Sequence, residues 1–275
     1  MLRKLLKYDF KSVFKYWWIA AVSSLALCVI GGGCINVFQI ERELPRVVNA
    51  SAGLMLGISI FGLIAFLILS QILVFVRFYK NFFTDEGYLT FTLPVKRSSL
   101  LNSKLIMTVT ASVATIITLA INVGVMILVG FSEKIFTKVF WDNVITICKD
   151  LIEEFKFYIL VYAVEFIAIG ILAISFSVLF VYCCITLASI ITKKARVVTA
   201  IGIYYGANMV FSFVMEIFVL FGARGIVERL YEVPENSQYM MISFVLLGII
   251  ILIAVFCSII YTLQYYMLDR KLNLA

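Results

Sequence analysis

The chain reads as an all-α polytopic membrane protein with six transmembrane helices. Three observations predict this. Of its 275 residues, 63% are hydrophobic and only 14% charged, far from the near-quarter charged share of soluble domains. Folding alone never hides that much apolar surface from water. Six apolar runs are each long enough to cross a bilayer, which takes about 20 residues. Basic residues also concentrate on alternate sides of those runs.

The expected spans are 17–38, 53–76, 104–130, 157–190, 197–222 and 240–266, within a single transmembrane domain covering 1–275. The first three and the sixth carry no charge in their apolar cores. The fourth holds only Glu165 and the fifth only Glu216. The fourth run is long enough for one helix with an end in water or for two broken pieces. No Pro or charge marks a reversal inside it, so one helix is expected. Outer-membrane strands are excluded, because the runs are continuous and do not alternate.

Six spans put both termini on one side. Segments 1–15, 77–104, 193–196 and 269–275 hold fifteen Lys and Arg, and the opposite segments hold eight. The positive-inside rule places the first set, and both termini, in the cytoplasm of a bacterial plasma membrane. The net charge of +7 is thus a record of topology. Scattered over short loops, it does not form a nucleic-acid surface.

Before the first span, Leu2, Leu6, Phe10, Val13 and Trp17 recur at helical spacing opposite Arg3, Lys4, Lys7, Lys11 and Lys15. This pattern predicts an amphipathic N-terminal helix in the inner interface, with Trp17 and Trp18 at headgroup depth. "GGGC" at 31–34 resembles a lipoprotein cleavage site. The span-length run around it and the five further spans argue against cleavage. Six Cys and no His give no ligand cluster or disulfide framework; the Cys read as small apolar filler.

Catalytic motifs are missing. There is no G-x-x-x-x-G-K-[ST] loop, so the chain carries no P-loop site of its own. H-E-x-x-H, G-x-S-x-G and C-x-x-C are absent too. An intramembrane enzyme would need paired carboxylates, for which only Glu165 and Glu216 stand in the spans. Both fall in the outer half at similar depth. They read either as an acidic lining that meets a cationic or polar substrate, or as hydrogen-bonded groups holding helices together.

Between spans two and three, "RFYKNFFTDEGYLTFTLPVKRSSLLNSKL" (77–105) mixes aromatics and charges. Phe78, Phe82 and Leu89 define one amphipathic face, Gly87 ends a short helix, and Pro94 disfavours helix just before it. Ser98 or Ser99 can cap the next helix. The residues alone say only a structured cytoplasmic connector.

The stretch "EGYLTFTLPVKRSSLLNSKL" closely resembles a block in the permease subunits of bacterial type-2 ATP-binding-cassette exporters. "LLKYDFK" before span one resembles their usual opening, and span number and length agree along essentially the whole chain. The resemblance implies a subunit without an ATPase fold. It would pair with a separate cytoplasmic ATP-binding subunit and with a second permease copy or homologue. ATP and Mg would sit on the partner, and no cofactor on this chain. The connector would supply the coupling helix, with Phe82, Phe83, Asp85, Glu86, Gly87 and Tyr88 as coupling residues. Thr92, Leu93 and Pro94 would form the turn into span three. Phe82 and Phe83 would fill an apolar cleft on the ATPase, and Asp85 and Glu86 would pair with its basic rim.

Candidate pathway residues in the spans are Ser59, Ser70 and Gln71, and Asn208 and Ser212. Ordinary helix–helix hydrogen bonding is the favoured reading of them. Gly57, Gly62, Gly202 and Gly206 are small positions where helices can approach. The segment 133–156 reads as an amphipathic helix outside the membrane, and 224–235 as a smaller outer connector, helical towards Pro234. Lipids, antimicrobial peptides and hydrophobic drugs all fit as substrates, with the acidic outer half favouring cationic ones. The readings that compete with an exporter subunit are a standalone immunity or signalling protein, a secondary transporter, for which no repeat is visible, and the intramembrane enzyme.

Overall fold

The computed structural model describes residues 2–39, 45–84, 87, 97–155, 157–192, 195–232 and 235–270. Among them are eight helices: α1 (Leu2–Gln39), α2 (Arg46–Phe83), α3 (Arg97–Gly130), α4 (Ser132–Ile135), α5 (Lys138–Phe155), α6 (Tyr158–Ile191), α7 (Arg196–Glu232) and α8 (Glu235–Arg270). Six of these, all but α4 and α5, are long and apolar enough to cross a membrane. The protein is a multi-pass helical membrane protein. Large apolar side chains such as Phe61, Val164 and Met209 stand exposed on them, as they do on helices solvated by lipid.

Local chemistry sets the helix ends. Pro45 opens α2: its carbonyl accepts the amides of Val48 and Asn49, and its fixed φ suits a first turn. α2 has 38 residues, or about 57 Å, so it outruns the bilayer. α6 runs unbroken for 34 residues and stops where Thr192 turns extended. Neither Gly170 nor Ser175 interrupts it. α7 continues past its apolar run to Glu232, through much of the segment read as an outer connector.

The chain divides into two units. The first comprises residues 1–77 and 106–154, the second 78–105 and 155–275. In the first, α1 packs on α2 and α3. Val13, Val74, Met107 and Ala111 form one buried cluster, and Trp17, Ala21 and Phe66 a second. Glycines permit the close approach. A Cβ on Gly31 would lie 2.7 Å from the Ser59 Cβ, and one on Gly32 equally near the Val129 Cβ. The GGGC stretch is therefore a packing surface inside α1.

Two expectations change here. The N-terminal amphipathic segment is not a separate interfacial helix; it is the first turns of α1. Nothing between Leu2 and Val29 breaks a helix, and the face expected to meet the membrane interface packs with Val74 and Met107. Trp17, expected as a headgroup anchor, is 4% exposed and donates its indole N–H to Thr115 Oγ1 at 2.9 Å, whereas Trp18 is 63% exposed. Adjacent helical residues point about 100° apart, so one faces protein and the other does not.

The second unit is built on α6, which packs along both α8 and α7. Phe176 contacts Phe211 of α7 and Phe256 of α8, and Phe180 meets Tyr204. The ends of α2 and α3 that lie in 78–105 belong to this unit as well.

Candidate functional site

The residues flanking the connector are tied to all three helices of the second unit. Phe78, near the end of α2, stacks on Tyr182 of α6, with ring centroids 3.5 Å apart and planes 8° from parallel. Phe82 and Phe83 join Phe78 in one aromatic group. Tyr79 stacks on Phe83 from the side. Buried aromatic rings of this size dominate local packing.

Two arginines then close helix ends. The last carbonyls of a helix have no partner within it. Arg196, the first residue of α7, donates from Nη1 to the Phe83 carbonyl at 2.8 Å and so caps α2. Arg97, the first residue of α3, donates to the Leu268 and Asp269 carbonyls and caps α8. It also pairs with the Asp269 carboxylate at 3.1 Å, with both side chains nearly half exposed. That ion pair is solvent-screened and contributes little by itself; the carbonyl contacts fix the geometry. Tyr261 of α8 donates to Asn102 Oδ1 at 2.7 Å, and the Tyr182 hydroxyl makes a long 3.4 Å contact to the Lys104 carbonyl. The last turn of α2 thus meets the first turn of α7, and the last turn of α8 meets the first turn of α3.

The expected coupling residues fall into two sets. Phe82 is 1% exposed and Phe83 6%, so their rings are packed inside this unit and are not presented for insertion into a partner's cleft. Gly87 is buried, and its amide donates to the Thr84 carbonyl at 2.7 Å. A Cβ there would lie 2.7 Å from the Phe82 carbonyl oxygen, so only glycine lets the chain double back this tightly. Asp85, Glu86, Tyr88, Leu89, Thr92, Leu93 and Pro94, and with them the expected coupling helix and turn, lie outside the described residues.

The span residues also separate. Glu165 is 5% exposed and accepts a hydrogen bond at Oε1 from Ser243 of α8. Its Oε2 is buried with no hydrogen-bond partner among the described residues. Three residues earlier, the Tyr162 hydroxyl donates to the Tyr239 carbonyl at 2.8 Å. Further along the same pair of helices, Gln264 donates to Thr186 at 2.7 Å while its Oε1 has no hydrogen-bond partner among the described residues. Buried polar atoms are rarely left this way, and each is an acceptor with room for a further donor.

Glu216 is exposed on α7, as are Asn208 and Ser212. The three are spaced by four and line one face of the helix. Gly202 and Gly206, also exposed, have no heavy atom within 4 Å of a would-be Cβ. Ser59 and Ser70 instead bond back to their own helix, at Met55 and Leu67, and Gln71 accepts from Ser112 at 3.4 Å. Those three are internal to the first unit. Gly57, like the α7 glycines, is open, while Gly62 sits against Leu27 of α1.

Several polar contacts were invisible to periodicity. Asn122 donates to Ser24 at 2.8 Å. Asn36 donates to Ser132, and Gln39 to the Gly130 carbonyl, which fastens the end of α3 to the end of α1. Polar residues at regular spacing within apolar runs were the available signal, but spacing does not reveal their partners.

Comparison of the chain with family models, with curated proteins and with solved structures finds no match.

Proposed function

We propose that the chain is the membrane-spanning subunit of an ATP-driven exporter, and that 78–105 receives the motion of a separate cytoplasmic ATPase. The observation that carries this reading is the attachment of that segment to α6, α7 and α8. The Phe78–Tyr182 stack and the two arginine caps make the connector part of the second unit. A push on it therefore acts on three spanning helices at once. Such coupling needs a partner whose binding free energy differs between two packings of those helices.

The burial of Phe82 and Phe83 reassigns their part. They act as the rigid root of the lever, and the contact with the ATPase passes to Thr84, Asp85, Glu86 and Tyr88. The exposed stripe Asn208–Ser212–Glu216 supports a second permease copy facing α7, with the transport path along the seam. A carboxylate on a span is costly in lipid and is found facing protein or water. The chain performs no hydrolysis in this account; ATP and Mg belong to the partner. The site is a bacterial plasma membrane with both termini in the cytoplasm, and the acidic seam favours cationic peptides or drugs.

Co-purification with the products of neighbouring genes, followed by an ATP-hydrolysis assay, tests this. An associated ATPase that is lost on Glu86→Lys, with the permease still at normal abundance, supports it. A chain that purifies intact and never binds an ATPase contradicts it and favours a standalone role.

A further inference from the structure

Helix α5 has an apolar face that none of the described residues buries. At about 100° per residue its side chains sort into two arcs. The apolar arc runs from Ile147 through Phe140, Leu151 and Trp141 to Ile145, without a polar residue. The opposite arc runs from Lys138 to Glu154 and is broken only by Val139. No residue of α5 is buried, although the arc carries large side chains.

Both ends of α5 are tied to spanning helices. Upstream, Asn36 and Gln39 of α1 hold Ser132 and Gly130, Ile135 of α4 is buried, and only Phe136 and Thr137 separate it from α5. Downstream, Phe155 packs edge-on against Tyr162 and Tyr239, near the first turns of α6 and α8. The two residues between α5 and α6 reach at most about 11 Å even when extended. A helix of 18 residues, about 27 Å long, is thereby kept at the level where spans emerge.

We propose that α5 lies in the membrane interface, its apolar arc sunk to the headgroup–acyl boundary, as a lipid-bound helix. Ile127 and Leu128, in the last turns of α3 a few residues before α4, are exposed apolar side chains as well. Trp141 is a side chain that favours this depth. The polar face carries two lysines and four carboxylates, so attraction to anionic headgroups is not what holds it. Burial of the apolar arc does, and neutral lipid suffices.

The test uses the full chain in phosphatidylcholine bilayers. In a background with the native cysteines replaced, nitroxides are placed one at a time at Ile145 and Ile152, and at Asn143 and Asp150. Their collision rates with oxygen and with a water-soluble nickel chelate are then compared. The proposal expects oxygen to exceed nickel several-fold at the first pair and the reverse at the second. Free access of nickel at all four positions overturns it, because the helix then stands in water. Exclusion of both reagents at Ile145 and Ile152 also overturns it, because protein then covers the arc. A second measurement leaves the cysteines intact. Bromine-labelled phosphatidylcholine should quench the wild-type chain more than Trp141→Phe, and equal quenching contradicts the proposal.

Discussion

Phe78 and Tyr182 stack face to face, with centroids 3.5 Å apart, and join the end of α2 to the final third of α6. Phe78→Ala removes the ring and leaves a cavity that Phe82 and Phe83 fill only in part. Loss of a buried Phe costs about 3–5 kcal/mol. The variant should show a sharply lower midpoint of thermal unfolding in detergent. Tyr182→Phe keeps the stacked ring and removes the hydroxyl, whose contact to the Lys104 carbonyl is a long 3.4 Å, so its midpoint should fall much less than that of Phe78→Ala.

Arg196 caps α2 through one nitrogen, while its Nε is left without a hydrogen bond among the described residues. A lysine can supply one donor as well. Arg196→Lys should therefore retain most of the stability, whereas Arg196→Ala should lose about 1–2 kcal/mol as the Phe83 carbonyl goes uncapped. Thermal midpoints of the two variants, measured side by side, separate them. Equal loss in both would mean that the planar guanidinium is required.

Gly87→Ala places a methyl group 2.7 Å from the Phe82 carbonyl oxygen, which is backbone and cannot step aside cheaply. The turn must open. Membrane abundance should fall only modestly, because the six spans are untouched. ATPase stimulation by the permease should fall several-fold, because the lever's root is displaced. Unchanged stimulation would show that the tight turn has no part in coupling.

Glu165 and Glu216 should respond differently. Glu165→Gln still accepts from Ser243 and should keep both abundance and transport, whereas Glu165→Leu strands the Ser243 hydroxyl and should lower abundance. Glu216 is exposed on α7, so Glu216→Gln should leave abundance unchanged and reduce export of a cationic substrate. Export and abundance measured on the same cells distinguish these outcomes. Full export by Glu216→Gln would remove this residue from the path.

Helix α5 and the spans were legible in the sequence for one reason: length and periodicity of apolar residues determine them, and both are local properties. Which side of a span faces protein was not legible. Lipid and protein interior are equally apolar, so Trp17 and Trp18 look alike until Thr115 takes the indole of one. Glu165 and Glu216 read as a matched pair for the same reason, yet one is buried against Ser243 and the other is exposed. The connector's aromatics were visible as a cluster. Their burial depends on Tyr182, a hundred residues on, and no spacing rule reaches that far.

Reactivity of a cysteine at position 84 towards a membrane-impermeant maleimide tests the exporter account most directly. Thr84 is exposed, at the end of α2 where the ATPase would push. In intact cells lacking other reactive cysteines, Thr84→Cys should stay unlabelled until the membrane is opened, while Asn143→Cys should label at once. Rapid labelling at position 84 in intact cells would put the connector outside the cell, beyond the reach of any ATP-driven partner.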